Sequence, residues 1–294
     1  QYIGRHKNVT ASLSAQYDRF SVSTYNDFIA EKPFSQSGLF KRQYARFDGN
    51  IGFSADRRFA IGVGAREEIV KYNPVIASNF EFKGTVSMPT AYGFIKYNSL
   101  DKRIFPNKGV RIDAEAGWVF RQNINVSVLR DGDPYPEAVS AISTQPYLRT
   151  SFSLESYYRV LRRLTAIAST QAGANFNYTN NIMNEFSVGG VLPLYNNQVT
   201  FIGLPEGSIY TPTVAAFMGG FRYEFLSNTY ATAKANVLFT NLINKSVFFN
   251  NPDFMSGYGL SFGYNFALGP LEVGAMYSDR SGKIYSTVSF GVSF

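Results

Sequence analysis

From its last residues backwards, the chain alternates. In KIYSTVSFGVSF, Ile284, Ser286, Val288, Phe290, Val292 and Phe294 share one parity, and Tyr285, Thr287, Ser289, Gly291 and Ser293 the other. Successive strand residues point to opposite faces, so the segment predicts a strand with one oily and one polar side. The pattern recurs. Val9, Ala11, Leu13, Ala15 and Tyr17 stand against Thr10, Ser12, Ser14 and Gln16. Val110, Ile112, Ala114, Ala116, Trp118 and Phe120 stand against Arg111, Asp113, Glu115 and Gly117, and Leu148, Phe152 and Leu154 against Arg149, Ser151, Ser153 and Glu155.

Thirteen strands are predicted, near 7–16, 18–29, 42–55, 57–70, 85–98, 109–122, 145–158, 162–177, 213–226, 229–240, 256–268, 270–278 and 284–294. Such segments exceed the roughly five or six residues of an ordinary globular strand. They match the 9–11 or so that a tilted strand needs to cross a bilayer. No helical period is available to cover so many apolar sheet faces, which leaves lipid as their solvent. The expected fold is all-β, an antiparallel transmembrane β-barrel.

The predicted links alternate between tight (Tyr17–Asp18, Asp56, 159–161, Ser227–Asn228, Gly269–Pro270) and long (30–41, 71–84, 123–144, 241–255 and 178–212). Outer-membrane barrels have short periplasmic turns and long outer loops. Phe294 is therefore expected at the periplasmic end, and the first predicted strand is expected to descend from outside. Bacterial barrels normally have an even strand number. The expectation is one barrel domain over 1–294 that lacks N-terminal strands and upstream domains.

Composition changes the picture little. Aromatic residues make up 16%, with 27 Phe and 20 Tyr, and there is no cysteine. The net charge of +7 is scattered singly, which argues against nucleic acid. Candidate lumen charges have both signs: Arg46, Arg66, Lys96, Arg111, Arg149, Arg222 and Lys234 against Asp48, Asp113, Glu115, Glu155, Glu224 and Glu272. An ion-selective pore would show one dominant sign. Trp118, Tyr223, Phe225, Tyr230, Tyr277 and Tyr285 are candidates for aromatic girdles at headgroup level.

Four stretches carry a resemblance: YNSLDKRIFPNKGVRIDAEAGW (97–118), NEFSVGG (184–190) followed by TFIGLPEG (200–207), GGFRYEFLSNTYATAKANV (219–237) and the closing 269–294. In that order they resemble the Omp85 (BamA-like) outer-membrane barrels of Gram-negative bacteria, particularly the barrel of bacterial patatin-like phospholipases, of the surface-antigen type. The resemblance implies sixteen strands, upstream POTRA and lipase domains, and a sixth outer loop folded into the lumen. That loop would contain Gly189, Gly190, Phe201, Gly203, Leu204, Pro205, Glu206 and Gly207. The family's loop often carries a Val-Arg-Gly motif; here Ile202-Gly203-Leu204 has no arginine. Phe290, Val292 and Phe294 resemble the C-terminal signal read by the barrel-assembly machinery.

Catalysis finds no support. Gly259-Leu260-Ser261-Phe262-Gly263 matches G-x-S-x-G, but that motif needs a strand-to-helix elbow, and Ser261 lies in unbroken alternation. Asp131-Gly132 reads as a turn. His6 is the only histidine, so no zinc cluster or His-based triad is expected. No cofactor is implied. An enzyme activity would follow only from the resemblance, as a Ser-Asp hydrolase upstream. The expected function is anchoring, and export, of an upstream patatin-like lipase. The alternatives are an assembly or translocation barrel and a passive channel. Expected partners are outer-membrane lipid and the barrel-assembly machinery, with a homo-oligomer or larger outer-membrane complex left open.

Overall fold

A computed structural model of the protein describes residues 2–6, 8–25, 36–76, 80–120, 122–130, 132–140, 142, 144–177, 184–192, 197–243 and 253–291. In chain order the strands begin with β1 (Tyr2–His6), β2 (Val9–Tyr25), β3 (Gln36–Phe53), β4 (Phe59–Ile76), β5 (Phe80–Asn98) and β6 (Gly109–Val119). Next come β7 (Asn123–Arg130), β8 (Asp133–Pro134), the short helix α1 (Pro136–Ser140), β9 (Tyr147–Leu161) and β10 (Leu164–Phe176). The loop strands are β11 (Phe186–Val188), β12 (Gln198–Val199) and β13 (Ile209–Thr211). The remainder are β14 (Thr213–Leu226), β15 (Thr229–Thr240), β16 (Phe254–Phe266), β17 (Gly269–Ser278) and β18 (Ile284–Phe290).

Thirteen of these follow one another in a single antiparallel sheet, β1-β2-β3-β4-β5-β6-β9-β10-β14-β15-β16-β17-β18, with β7 and β8 as a branch on β5. A separate three-stranded sheet, β12-β11-β13, belongs to the long loop.

The alternation decides the faces. One parity exposes large apolar side chains: Leu13 63%, Val63 67%, Leu260 65% and Val288 72%. A soluble sheet would have to hide this continuous surface. Here it is the face for hydrocarbon. The opposite parity turns inward and carries the buried polar groups, among them Asp48, Arg66, Glu68, Arg149 and Arg222.

Several predicted boundaries move. The turn expected at Tyr17–Asp18 does not exist. β2 runs through it, paired with β3 from Val9↔Phe53 to Tyr25↔Gln36, and Asp18 accepts a 2.6 Å hydrogen bond from Gln16 Nε2. The two strands expected at 7–16 and 18–29 are thus one, and residues 9–16 run opposite to the direction expected of them. The count of thirteen returns only because β1 precedes β2. The loop expected at 71–84 is mostly strand, with Tyr72 paired to Gly84.

Nor is 123–144 a plain loop. β6 pairs with β5 over 90–98, breaks at 120–122, and β7 takes its place along 80–87. Two aromatic assignments are also corrected. Tyr230 is 3% exposed on the inward face, and Tyr285 has the inward parity of Thr287 and Ser289, whereas Trp118, Tyr223 and Tyr277 do face outward. Val292 and Phe294 lie outside the described residues; Phe290 ends β18 facing outward at 52% exposure.

Candidate functional site

The inward face is a lumen built from three groups of side chains. The first is a charge cluster on β3, β4, β5, β6 and β9. Arg46 Nη2 lies 2.8 Å from Asp48 Oδ2, and the Tyr92 hydroxyl donates to the same carboxylate at 2.8 and 2.9 Å. Glu68, 1% exposed, accepts from the Tyr44 hydroxyl at 2.5 Å and faces Arg149 Nη1 at 3.6 Å and Arg66 Nε at 4.0 Å. Arg66 also pairs with Glu115, and its guanidinium lies 4.2 Å from the Tyr92 ring centre. Charges this buried persist because they are paired. Both signs are present, and they neutralise one another across four strands.

The second group is the long loop, which folds back between the walls. Its backbone closes on itself through Ser187 N–H to Asn197 O (2.9 Å), Gly190 N–H to Leu204 O (2.9 Å) and Phe201 N–H to Gly190 O (3.0 Å). Gly189 and Gly203 sit at φ 127 and 98, a region closed to most L-residues. Phe186, Val188, Val199, Phe201, Leu204 and Ile209 pack onto inward Val214, Ala216, Leu238 and Met255 in one apolar cluster.

Polar contacts tie the loop to opposite sides of the lumen. From β9, Arg149 donates to Asn184 O (3.1 Å) and Asn197 Oδ1 (3.2 Å), and it is braced by Tyr147 Oη (2.7 Å) and Asn175 Oδ1 (3.4 Å). Gln122, at the break between β6 and β7, accepts from Asn184 Nδ2. From β10, Gln171 Oε1 accepts from Thr200 N–H at 2.8 Å. On the far wall the tip lies so close to β16 that a methyl group on Gly257 would collide with Ile202 O. Asn236 accepts from Ile202 N–H at 2.8 Å once its amide is oriented to satisfy both its atoms.

The third group closes the opposite end. Between β5 and β6 the turn 99–108 folds inward. Phe105 adopts φ 47, a conformation costing a bulky residue about 1–3 kcal/mol. Its ring packs 4.5 Å from Tyr230 and beneath Arg222, whose guanidinium lies 5.4 Å from both ring centres. Arg222 donates to Pro106 O and, at 3.3 Å, to Asn107 Oδ1. The turn itself is pinned by Asp101, whose carboxylate accepts Asn107 N–H at 2.8 Å and Lys108 N–H at 3.2 Å. Partial burial alone would raise the Asp101 carboxyl. The two amide bonds outweigh it and hold the group below the ordinary aspartate range.

Between the two stoppers is a cavity of ≈ 330 Å³ lined by Glu155, Gln171, Ile202, Lys234, Ser261 and Glu272, among others. Ser261, in the middle of β16, donates to Glu272 Oε1 on the neighbouring β17 at 2.5 Å, so the G-x-S-x-G match is ordinary strand wall.

The expected lumen residues therefore divide. Glu115, Arg149 and Arg222 enter the described networks. Arg111 pairs with Asp113 at 2.8 Å and stands opposite Glu155 across β6 and β9, at a more open position. Gly189, Gly190, Phe201, Gly203, Leu204 and Gly207 are in the folded-in loop, with Gly203 against the backbone of Tyr277 in β17, while Glu206 is exposed and Pro205 O accepts from Ser208 Oγ at 2.6 Å. Glu68, Tyr44, Gln122, Asn184 and Asn236 were not anticipated. The available signal was parity: Glu68 is two residues from Arg66, Tyr44 two from Arg46, and Asn236 two from Lys234, each on the inward side.

A family model described as OMP85 superfamily matches residues 1–294. Among solved structures, BamA from Haemophilus ducreyi lacking POTRA domains 1-3 is similar with a TM-score of 0.59 at 11% identity, covering 97% of this chain and 63% of that one. CdiB from Acinetobacter baumannii is similar with a TM-score of 0.55 at 10% identity, covering 92% of this chain and 44% of that one. The chain thus spans less than two thirds of either. No curated protein matches it.

Proposed function

This chain belongs to the OMP85 superfamily and is a bacterial outer-membrane β-barrel, and from that premise we propose that it serves assembly or translocation of other outer-membrane proteins. The observation that carries this reading is a lumen filled from both ends by the protein's own segments. The loop is seated by Arg149 and an apolar cluster, and the turn 99–108 by Arg222. A passive channel needs a standing open path. A barrel that works through its wall, or by a transient opening, does not.

The test is reconstitution in liposomes with an unfolded outer-membrane β-barrel as substrate. Faster substrate insertion than in empty liposomes, with no stable conductance in planar bilayers, is the expected result. Equal insertion rates, or a steady open pore, would refute the proposal. A second reading, anchoring and export of a patatin-like lipase, draws on the four resembling stretches and on a loop tip, Ile202-Gly203, without arginine. Release of fatty acid from phospholipid vesicles by the protein isolated intact from its own membrane would favour it.

A further inference from the structure

On the outward face, cross-strand register aligns side chains into rows. One row reads Leu13, Gly49, Ala65, Ala91 and Trp118. The next reads Ala15, Phe47, Glu67 and Pro89, and above it stand Tyr17, Ala45, Ile69 and Ser87. The Ser87 hydroxyl engages Glu67. Then the chemistry turns. Arg19, Gln43, Lys71, Thr85 and Asn125 form one row; Ser21, Lys41 and Asn73 lie beyond it, as does Lys83 beside Ser127.

We propose that this outward patch on β2–β5 binds the phosphorylated headgroup of an outer-leaflet lipid. The inference rests on the outer-membrane reading above, with the long-loop end of the barrel facing outside. Four cations occupy two consecutive rows on four adjacent strands, an area of roughly 14 by 7 Å from strand and residue spacing. Arg19, Lys71 and Lys83 are exposed and Lys41 partly so. Among the described residues none of the four has a carboxylate within 4.0 Å. The nearest outward acids in sequence or register are Glu67, held by Ser87, and Glu81, at the upper margin beside Lys83. Amide and hydroxyl groups of Gln43, Asn73, Thr85 and Asn125 interleave with the cations and can bond phosphate or sugar oxygens.

A second feature lies further down the same face, beyond the rows of Tyr17 and Ala15 and about 20 Å along the strands from the nearer cations. Glycine and alanine at 49, 91, 93 and 116 hollow the apolar band into a groove of ≈ 930 Å³, walled by Leu13, Ile51, Val63, Trp118 and Leu148. A headgroup held by the cations would let its acyl chains descend into this groove. Basic rows above and a trough beneath match one amphiphile, and charge complementarity selects an anionic one.

The test measures lipid retention by native mass spectrometry of the detergent-solubilised protein, with diphosphoryl lipid A as probe and its dephosphorylated form as control. Each basic residue near an anionic surface contributes about fivefold in affinity. Lys41→Gln/Lys71→Gln/Lys83→Gln should therefore weaken diphosphoryl lipid A binding by roughly 100-fold. Lys283→Gln, which removes a cation elsewhere at the same end, should leave it unchanged. Gly93→Leu, which fills the groove without touching a cation, should weaken both lipids alike. A triple variant within twofold of the parent, or equal retention of both probes by the parent, would overturn the headgroup site. A protein that is folded and monomeric without detergent would instead overturn the membrane reading itself.

Discussion

Arg149→Met removes the guanidinium that seats the long loop while keeping most of the apolar stem. Arg149 makes two bonds to the loop, to Asn184 O and Asn197 Oδ1, and two to the wall, to Tyr147 Oη and Asn175 Oδ1. It also faces Glu68 at 3.6 Å. Breaking a buried ion pair from one side costs about 3–5 kcal/mol. Glu68 keeps its 2.5 Å bond from Tyr44 and a distant Arg66, so the global loss should fall at the low end. The loop's own share is two charge-assisted bonds, about 2–4 kcal/mol together after allowing for non-additivity. Hydrogen exchange separates the two. Loop amides of Ser187, Gly190 and Phe201, all bonded within the loop, should exchange about 30- to 1,000-fold faster, because 1.4 kcal/mol is tenfold. Amides of β15, on the far wall, should change far less. Loop exchange within threefold of the parent would refute the seating role. So would equal acceleration of loop and wall, since it would mean general destabilisation. Glu68→Gln serves as the partner variant; combined with Arg149→Met it should cost less than the sum of the two.

Other outcomes follow from the same geometry. Val288→Arg, on the lipid face at 72% exposure, should cost about 2–4 kcal/mol in refolding into bilayers, and the neighbouring inward Ser289→Arg much less; equal penalties would contradict the assignment of faces. Gly257→Val forces the loop tip off β16, where Ile202 O leaves no room, and should raise planar-bilayer conductance without preventing membrane insertion. Asp101 has a depressed carboxyl, so its contribution is present above about pH 4, the unfolded value, and is lost as pH falls through the lower folded value. Urea unfolding should accordingly show the parent ahead of Asp101→Asn at about pH 6 and level with it at about pH 2.

The faces of the barrel wall were legible because parity is local: Ile284, Val288 and Phe290 declare themselves within seven residues. Strand ends were less so. At Tyr17–Asp18 a lone aspartate resembled a turn signal, yet inward Asp18 has a lumen to occupy and the register with β3 carries the strand onward. The return of the long loop was implied by resemblance, but its attachments were not visible. Arg149 meets partners 35 and 48 positions away, Asn236 holds a tip beyond another strand, and Arg222 meets Asn107 across 115 positions. Pairings at such separations have no periodic signature. The loop also lacks the arginine that the family's motif often carries. In the structure the polarity is reversed, with arginine on the wall and carbonyl and amide oxygens on the loop.

The loop's seat is assembled from residues on both sides of it in the chain. Arg149 and Gln171 precede it, whereas Asn236, Gly257 and the backbone at Tyr277 follow. Phe186 rests against Gly173 of β10, but the apolar cluster it shares with Phe201 and Leu204 is completed by Val214, Ala216, Leu238 and Met255 from later strands. The stopper therefore has its full dry cover only when those C-terminal strands are in place.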